Sequence, residues 1–343
     1  MKSLADVARH AGVSKATASR ALNGSGYVSE ATRDRVSRSA AELGYVLSTA
    51  AASLVTGRTR NVAVVTPHLS RWFFSKVVDG VEEALIEAGY DLTLYRLRQN
   101  ETQRRKIFDY FLVRKRVDAV ISVGVELEAG ERRALTAMRK PVVCVSGTLP
   151  GVHSIRIDDF AATRTSTEHL LQLGHTDIVY VGAQVEGDVD LTARRERVAG
   201  FEAAMTGRRR RRGDVLSCGW SLPEGYEAGR ALLTLPADER PAAIVAGTDE
   251  LAMGVVMAAR DLGLEIPRDL SITGIDDHPY SAVFGLTTIR QEPAIHGHMA
   301  VDAILGHLDS GRPMSTDEVL VEATLIPRST TARATAHSGH HSR

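Results

Sequence analysis

A chain of 343 residues with 43% apolar content can bury a large core and divide into two or three domains. No apolar run of about 18 residues could span a membrane, and the opening Met1-Lys-Ser-Leu-Ala-Asp-Val-Ala-Arg-His breaks into charge too soon for a signal peptide. The net charge of zero hides a division: residues 1–60 carry nine Lys and Arg against four Asp and Glu, while the rest carry 33 against 38. A basic head on an acidic body is the imbalance of a nucleic-acid reader joined to a separate regulatory domain. Cys144 and Cys218, both in apolar surroundings, read as free buried thiols of a reducing compartment, so a cytoplasmic location is expected.

The first predicted helix is capped by Ser3, carries Asp6 in its first turn and ends at Gly12, where a tight turn needs a positive φ. Ser14 caps a second helix from Lys15 to Asn23. Its Ala18, Ala21 and Leu22 suit a packed side, and its Ala16, Ser19, Arg20 and Asn23 line the opposite side. Two short helices joined by a Gly turn, the second showing a narrow polar face with an Arg, form a helix-turn-helix pattern. A third helix, capped by Ser29 and running from Glu30 to Leu43 before Gly44, completes a core small enough to depend on a larger partner domain.

The ordered run Asp6-Val-Ala, Ala11-Gly-Val-Ser-Lys-Ala-Thr-Ala-Ser-Arg-Ala-Leu-Asn-Gly24, Tyr27-Val-Ser, Thr32-Arg and Glu42-Leu-Gly-Tyr45 resembles the headpiece of lactose-repressor (LacI/GalR) family regulators. Ala18 and Ala21 depart from it, standing where Val is usual. The resemblance implies a DNA-binding headpiece over 1–45, with Lys15, Ala16, Thr17, Ser19, Arg20 and Asn23 facing DNA. It implies a hinge over 46–60 in which Leu54 would wedge into the minor groove. Leu47, Ser48 and Ala52 replace the Pro, Asn and Arg common there, so a minor-groove contact by that Arg is missing.

From Asn61 onward the pattern alternates. Short β-branched strands at Val62–Thr66, Leu92–Tyr95, Val117–Val123 and Val142–Val145 are separated by helices at Val77–Ala88, Glu101–Arg114 and Glu131–Arg139. A second set comprises helices Phe160–Leu173, Arg194–Met205, Glu224–Leu235 and Glu250–Leu262 with strands Ile178–Val181, Val215–Cys218, Ala243–Ala246 and Ser271–Ile275. Two doubly wound parallel α/β units imply two lobes with a cleft at the strand carboxyl ends. This is similar to the periplasmic-binding-protein-like core of the same family over 61–328. That similarity implies crossings near Asp158, Gln291 and Pro327, with lobe one at 61–158 plus 292–326 and lobe two at 159–290. Helix Ala294–Leu308 would return to the first lobe. The Arg208–Arg212 run reads as a solvated loop, and 329–343 as a disordered tail. His340 and His341 lack partners at a metal-site spacing, and the tail shows no leucine heptads for a coiled coil. No metal and no cofactor are expected.

Aromatics in the predicted loop Ser70-Arg-Trp-Phe-Phe-Ser75 suggest stacking on a flat ligand. The family resemblance implies an effector site at Phe73, Phe74, Ser146, Arg197, Trp220, Thr248 and Asp276. Arg71 and Trp72 depart from the usual Asn-Pro, Ser146 from Asp, and Thr248 from Asn. Arg197 and Asp276 could alternatively bridge the closed cleft as a structural ion pair. This mixture favours a neutral saccharide, leaving a nucleoside or small acid open. The expected function is a homodimeric regulator, a repressor by family analogy, binding near-palindromic operator DNA under control of a small ligand. The alternatives are a sugar-binding protein without gene control, disfavoured by the helix-turn-helix, and a Rossmann-type enzyme. Gly24-Ser-Gly26 follows a helix and lacks the third Gly of a dinucleotide fingerprint, and no catalytic set recurs at the strand ends.

Overall fold

The computed structural model describes residues 2–23, 26–45, 57–98, 100–112, 117–125, 127–183, 192–207 and 214–334. The hinge residue Leu54, the Arg208–Arg212 run and residues 335–343 lie outside these. The chain forms two compact units, the first ending at Asn61 and the second holding nearly everything beyond it.

The N-terminal unit contains helices α1 (Leu4–His10), α2 (Lys15–Asn23) and α3 (Glu30–Glu42). Ser3 and Asp6 form a reciprocal capping box, in which the Ser3 N–H donates to Asp6 at 2.8 Å and the Asp6 N–H to Ser3 Oγ at 3.4 Å. Gly12 turns the chain at φ 65°, and Ser14 Oγ accepts from the Thr17 N–H at 3.0 Å to start α2. Ser29 stands at the start of α3 without capping it, because its hydroxyl donates to Thr32 Oγ1 at 2.9 Å instead. The exposed α3 start can leave its amides to water. Val7, Ala8, Ala11, Ala18, Ala21, Val36 and Ala40 make the core, closed by Leu4, Val13, Leu22 and Leu43.

The second unit carries two sheets. The first contains β1 (Asn61–Thr66), β2 (Asp91–Arg96), β3 (Ala119–Val123), β4 (Val142–Val145), β5 (His153–Arg156) and β11 (Glu318–Leu320), in the order β11-β5-β4-β3-β1-β2. The second contains β6 (Ile178–Ala183), β7 (Val215–Ser217), β8 (Ala243–Ala246), β9 (Ser271–Asp276), β10 (Thr287–Arg290) and β12 (Thr324–Ile326), in the order β12-β10-β9-β8-β6-β7. The registered pairs are parallel, as in Val62 opposite Ala119 and Ile244 opposite Ile272, except that β12 runs antiparallel to β10. Strands such as β3 and β8 are buried along their whole length, which explains their unbroken apolar runs. The helices are α4 (Trp72–Glu87), α5 (Glu101–Arg105, widening into a π-type turn over Lys106–Leu112), α6 (Ala129–Ala137), α7 (Asp159–Gln172), α8 (Thr192–Ala204), α9 (Leu222–Leu233), α10 (Asp249–Asp261), α11 (Ser281–Phe284) and α12 (Pro293–Ser310). None of the described helices is long and apolar enough to cross a membrane.

The backbone passes between lobes after Arg156, between Arg290 and Pro293, and again between Leu320 and Thr324. This last crossing precedes the position expected near Pro327, because Thr288 already pairs with Ile326 and Arg290 with Thr324 in the second sheet. The expectation of a disordered tail from 329 also fails for its first six residues. Thr330 is buried, its N–H donates to the Gly285 carbonyl at 2.9 Å and its hydroxyl to the Ile272 carbonyl at 2.7 Å, and the Ala334 N–H reaches the Leu173 carbonyl at 2.9 Å. Polar residues that look like a tail satisfy backbone groups beside β9.

In the first lobe α12 returns to pack on α4. Their backbones touch so closely that a Cβ on Gly80 would fall 2.1 Å from the Ala294 carbonyl oxygen. Gly80→Ala is therefore expected to destabilise the core unit by about 1–3 kcal/mol through overpacking. Urea unfolding followed by tryptophan fluorescence measures this, and an unchanged midpoint would mean the two helices can separate freely.

Candidate functional site

The strand carboxyl ends of the two lobes face a cleft with about 460 Å³ of empty space, open solvent at its mouth included. All seven residues expected to bind an effector, Phe73, Phe74, Ser146, Arg197, Trp220, Thr248 and Asp276, line it, together with Arg71, Ala193 and Glu250. Arg71, Phe73, Phe74 and Ser146 come from the first lobe and the others from the second.

Phe73 and Phe74 lie in the first turn of α4, not in a loop. Arg71 opens that helix without a side-chain cap, so the usual sequence signal of a helix start is missing. Phe74 is 5% exposed and belongs to the core of the first lobe while also facing the cleft, and Phe73 packs edge-on against it at 5.4 Å between centroids. Ser146 directly follows β4 and Asp276 ends β9, with φ of 54° and 134°. Non-glycine residues in that region are strained, and such strain is held where the surroundings fix a functional geometry.

Arg197, on α8, is buried and donates through Nε to Asp159 at 2.7 Å and through a terminal nitrogen to the Gly247 carbonyl. The alternative of an Arg197–Asp276 bridge across the cleft is not formed. Both residues belong to the second lobe, and Asp159 takes the guanidinium. Asp276 instead accepts from Gln291 Nε2 at 2.6 Å. Burial raises the Asp276 carboxyl well above the usual carboxylate range, against the opposing pull of the Arg197 charge and the Gln291 bond. The Trp220 indole, expected to stack on a ligand, is itself stacked by guanidinium groups, Arg194 at 4.3 Å and Arg197 at 5.0 Å from its centroid. Thr248 caps α10 by accepting from the Leu251 N–H at 3.2 Å. The next residue, Asp249, is fully buried and accepts from Ser281 Oγ, Thr288 Oγ1 and the His278 N–H, and burial pushes its pKa up to about 6.

The lobes also touch each other directly. The Trp72 N–H donates to Glu250 Oε1 at 3.3 Å, and the Trp72 ring lies 5.3 Å from that of His278. Arg156 of β5 joins Glu196 of α8 at 2.6 Å and pairs with Glu318 of β11 as well. The geometry is a cleft lined by aromatic and charged residues from both lobes, bridged by contacts that must rearrange if the lobes move.

In the N-terminal unit Lys15, Ala16 and Arg20 are exposed along α2, while Thr17, Ser19 and Asn23 are half-buried. Thr17 is engaged with Ser14, and Asn23 donates to Ser19 Oγ at 3.2 Å. Arg20 makes no hydrogen bond or ion pair with any described residue, and its stem runs past Gly26, where a Cβ would come within 3.2 Å of Arg20 Cδ. An unpaired guanidinium on an exposed helix face can make a bidentate contact with a base edge.

A headpiece of this kind joined to a two-lobed binding core defines a class of ligand-responsive DNA-binding regulators, and comparison with known proteins agrees. Residues 3–48 match the model for bacterial regulatory proteins of the lacI family, and residues 167–331 match the periplasmic binding protein-like domain. Catabolite control protein A of Priestia megaterium is 31% identical over 276 residues, 79% of this chain and 81% of that protein. The ribose operon repressor of Escherichia coli (strain K12) is 31% identical over 322 residues, 89% of this chain and 92% of that protein. Among solved structures, the lac repressor dimer bound to operator and the anti-inducer ONPF superposes with a TM-score of 0.82 at 26% identity, covering 96% of this chain and 99% of that one. The regulator CelR in complex with cellobiose gives 0.70 at 25% identity over 96% and 100% of the two chains. The chain belongs to the lacI family of bacterial regulatory proteins.

Sequence reasoning omitted Arg71, Ala193 and Glu250 from the cleft, and Asp159 as the partner of Arg197. Glu250 follows Thr248-Asp249 directly, and that adjacency was the available signal.

Proposed function

We propose that this protein is a homodimeric, sequence-specific repressor of transcription, without catalytic activity, that acts in the cytoplasm. It binds a near-palindromic operator through α2 and a small polyhydroxylated effector, a saccharide or a derivative of one, in the interlobe cleft. The observation that carries the reading is the cleft itself. Seven residues scattered from Phe73 to Asp276 converge on one cavity, in a chain that also presents the exposed, unpaired Arg20. Two relatives supply context: one controls the ribose operon and the other was solved with cellobiose. Two headpieces related by a two-fold axis require a target whose halves mirror it.

Selection of binding sites from random duplex DNA with the full-length protein tests the DNA half of this reading. An inverted repeat is the expected product. Arg20→Ala should then cost about 1–3 kcal/mol of specific affinity and relax selection at one base pair per half-site. Recovery of the same site preference by the variant would remove Arg20 from the reading role.

A further inference from the structure

The polar groups around the cleft are unevenly satisfied. Arg197 is committed to Asp159 and Gly247, and Glu224, whose charge acts on Arg71, is held by Ser221 at 2.6 and 2.8 Å in the cap of α9. Glu250 accepts from the Trp72 N–H. Arg71 is different. It is half-buried, lines the cleft and forms no hydrogen bond and no ion pair within 4.0 Å with any described residue, Glu250 included. The buried indole N–H of Trp220, 8% exposed and also lining the cleft, has no acceptor among the described residues either. Trp Nε1 can only donate, and a guanidinium offers five donors and no acceptor. The cleft therefore presents donors without a hydrogen-bond partner among the described residues, one of them the Arg71 guanidinium, whose charge reaches Glu224 and Glu250 only through space. One Asp276 oxygen and the Ser146 hydroxyl remain to meet ligand hydroxyls.

We propose that the effector is an anionic polyhydroxy compound whose oxyanion is read by Arg71, so that Arg71 sets the preference for a charged sugar over its neutral counterpart. This rests on the cleft being the effector site and departs from the neutral saccharide favoured by sequence. A guanidinium fork matches the geometry of a carboxylate or a phosphate, and a partly desolvated site strengthens a charge-assisted bond. Sugar acids and sugar phosphates offer the same chemistry.

The test is calorimetry on the full-length protein with matched probes: glucose, galactose and ribose against glucuronate, galacturonate, gluconate, glucose 6-phosphate and ribose 5-phosphate. At least one anionic probe should bind roughly tenfold or more tightly than its neutral parent. That ratio should collapse toward one in Arg71→Gln and shrink at high salt. A carboxylate or a phosphate among the winners identifies the source of the oxyanion, and either supports the proposal. A neutral sugar that binds as well as its acid overturns it, as does failure of every anionic probe to bind at millimolar concentration. A ratio that survives Arg71→Gln also overturns it, since Arg71 would then merely balance the charge of Glu250. Neutral-sugar binding that is lost in Asp276→Asn would keep the cleft as the effector site while removing the anionic preference.

Discussion

Replacing Arg197 with alanine should destabilise the core unit by about 3–5 kcal/mol, the cost of leaving one member of a buried ion pair without its partner. Arg197 and Asp159 are both nearly inaccessible, their side chains 5% and 3% exposed, and the pair ties α8 to the start of α7. Arg197 also holds the Gly247 carbonyl, which sets the loop leading to Thr248 and α10. The substitution would thus strand a carboxylate, release a carbonyl and expose one face of Trp220. Urea unfolding with fluorescence detection reads the stability. Arg197→Ala with Asp159→Asn in the same chain should recover part of the loss, because the stranded charge is gone. A single variant as stable as the parent would mean the pair is solvated by water not apparent from its burial.

Asp276→Asn should weaken effector binding by about 0.5–1.5 kcal/mol, the net worth of an ordinary hydrogen bond, with little change in stability. Asparagine adds no backbone strain beyond that aspartate already bears at φ 134°, keeps an acceptor for Gln291 and fills the same volume. What it loses is the second carboxyl oxygen, the one left to receive a ligand hydroxyl. DNA binding in the absence of effector should be unaffected, so the variant should behave as a regulator deaf to its signal. Parallel titrations of effector and of DNA check both halves. Full effector affinity in the variant would show that Asp276 serves to hold Gln291 at the crossing between lobes, and not to contact the ligand.

Much of this molecule is legible in its sequence, and for identifiable reasons. Ser3, Asp6, Gly12 and Ser14 mark the headpiece helices because caps and tight turns are local devices. Strands β1, β3, β4 and β8 stand out because burial on both faces demands consecutive apolar residues. Strands β5, β10, β11 and β12 do not, since each sets polar residues such as His153, Thr287, Glu318 and Thr324 among only one or two apolar ones. The first turn of α4 is hidden by its uncapped Arg71, and residues 329–334 are hidden by a polar composition that looks like a tail. The cleft residues are legible through family motifs, but their partners are not. Asp159 lies 38 positions from Arg197, and nothing local joins them.

In a regulator of this kind the cleft and the operator-binding face must be coupled. An effector can shift the balance between two arrangements of the lobes only by binding one better than the other, and the coupling must be reciprocal. The direct measurement is the affinity of the full-length protein for its selected inverted repeat, by fluorescence anisotropy, with and without saturating effector, at one salt concentration. Operator affinity is predicted to change by roughly 5–150-fold, and effector affinity to change by the same factor when operator is present. Equal operator affinities in the two titrations would contradict the account, because the cleft would then bind its ligand without controlling DNA.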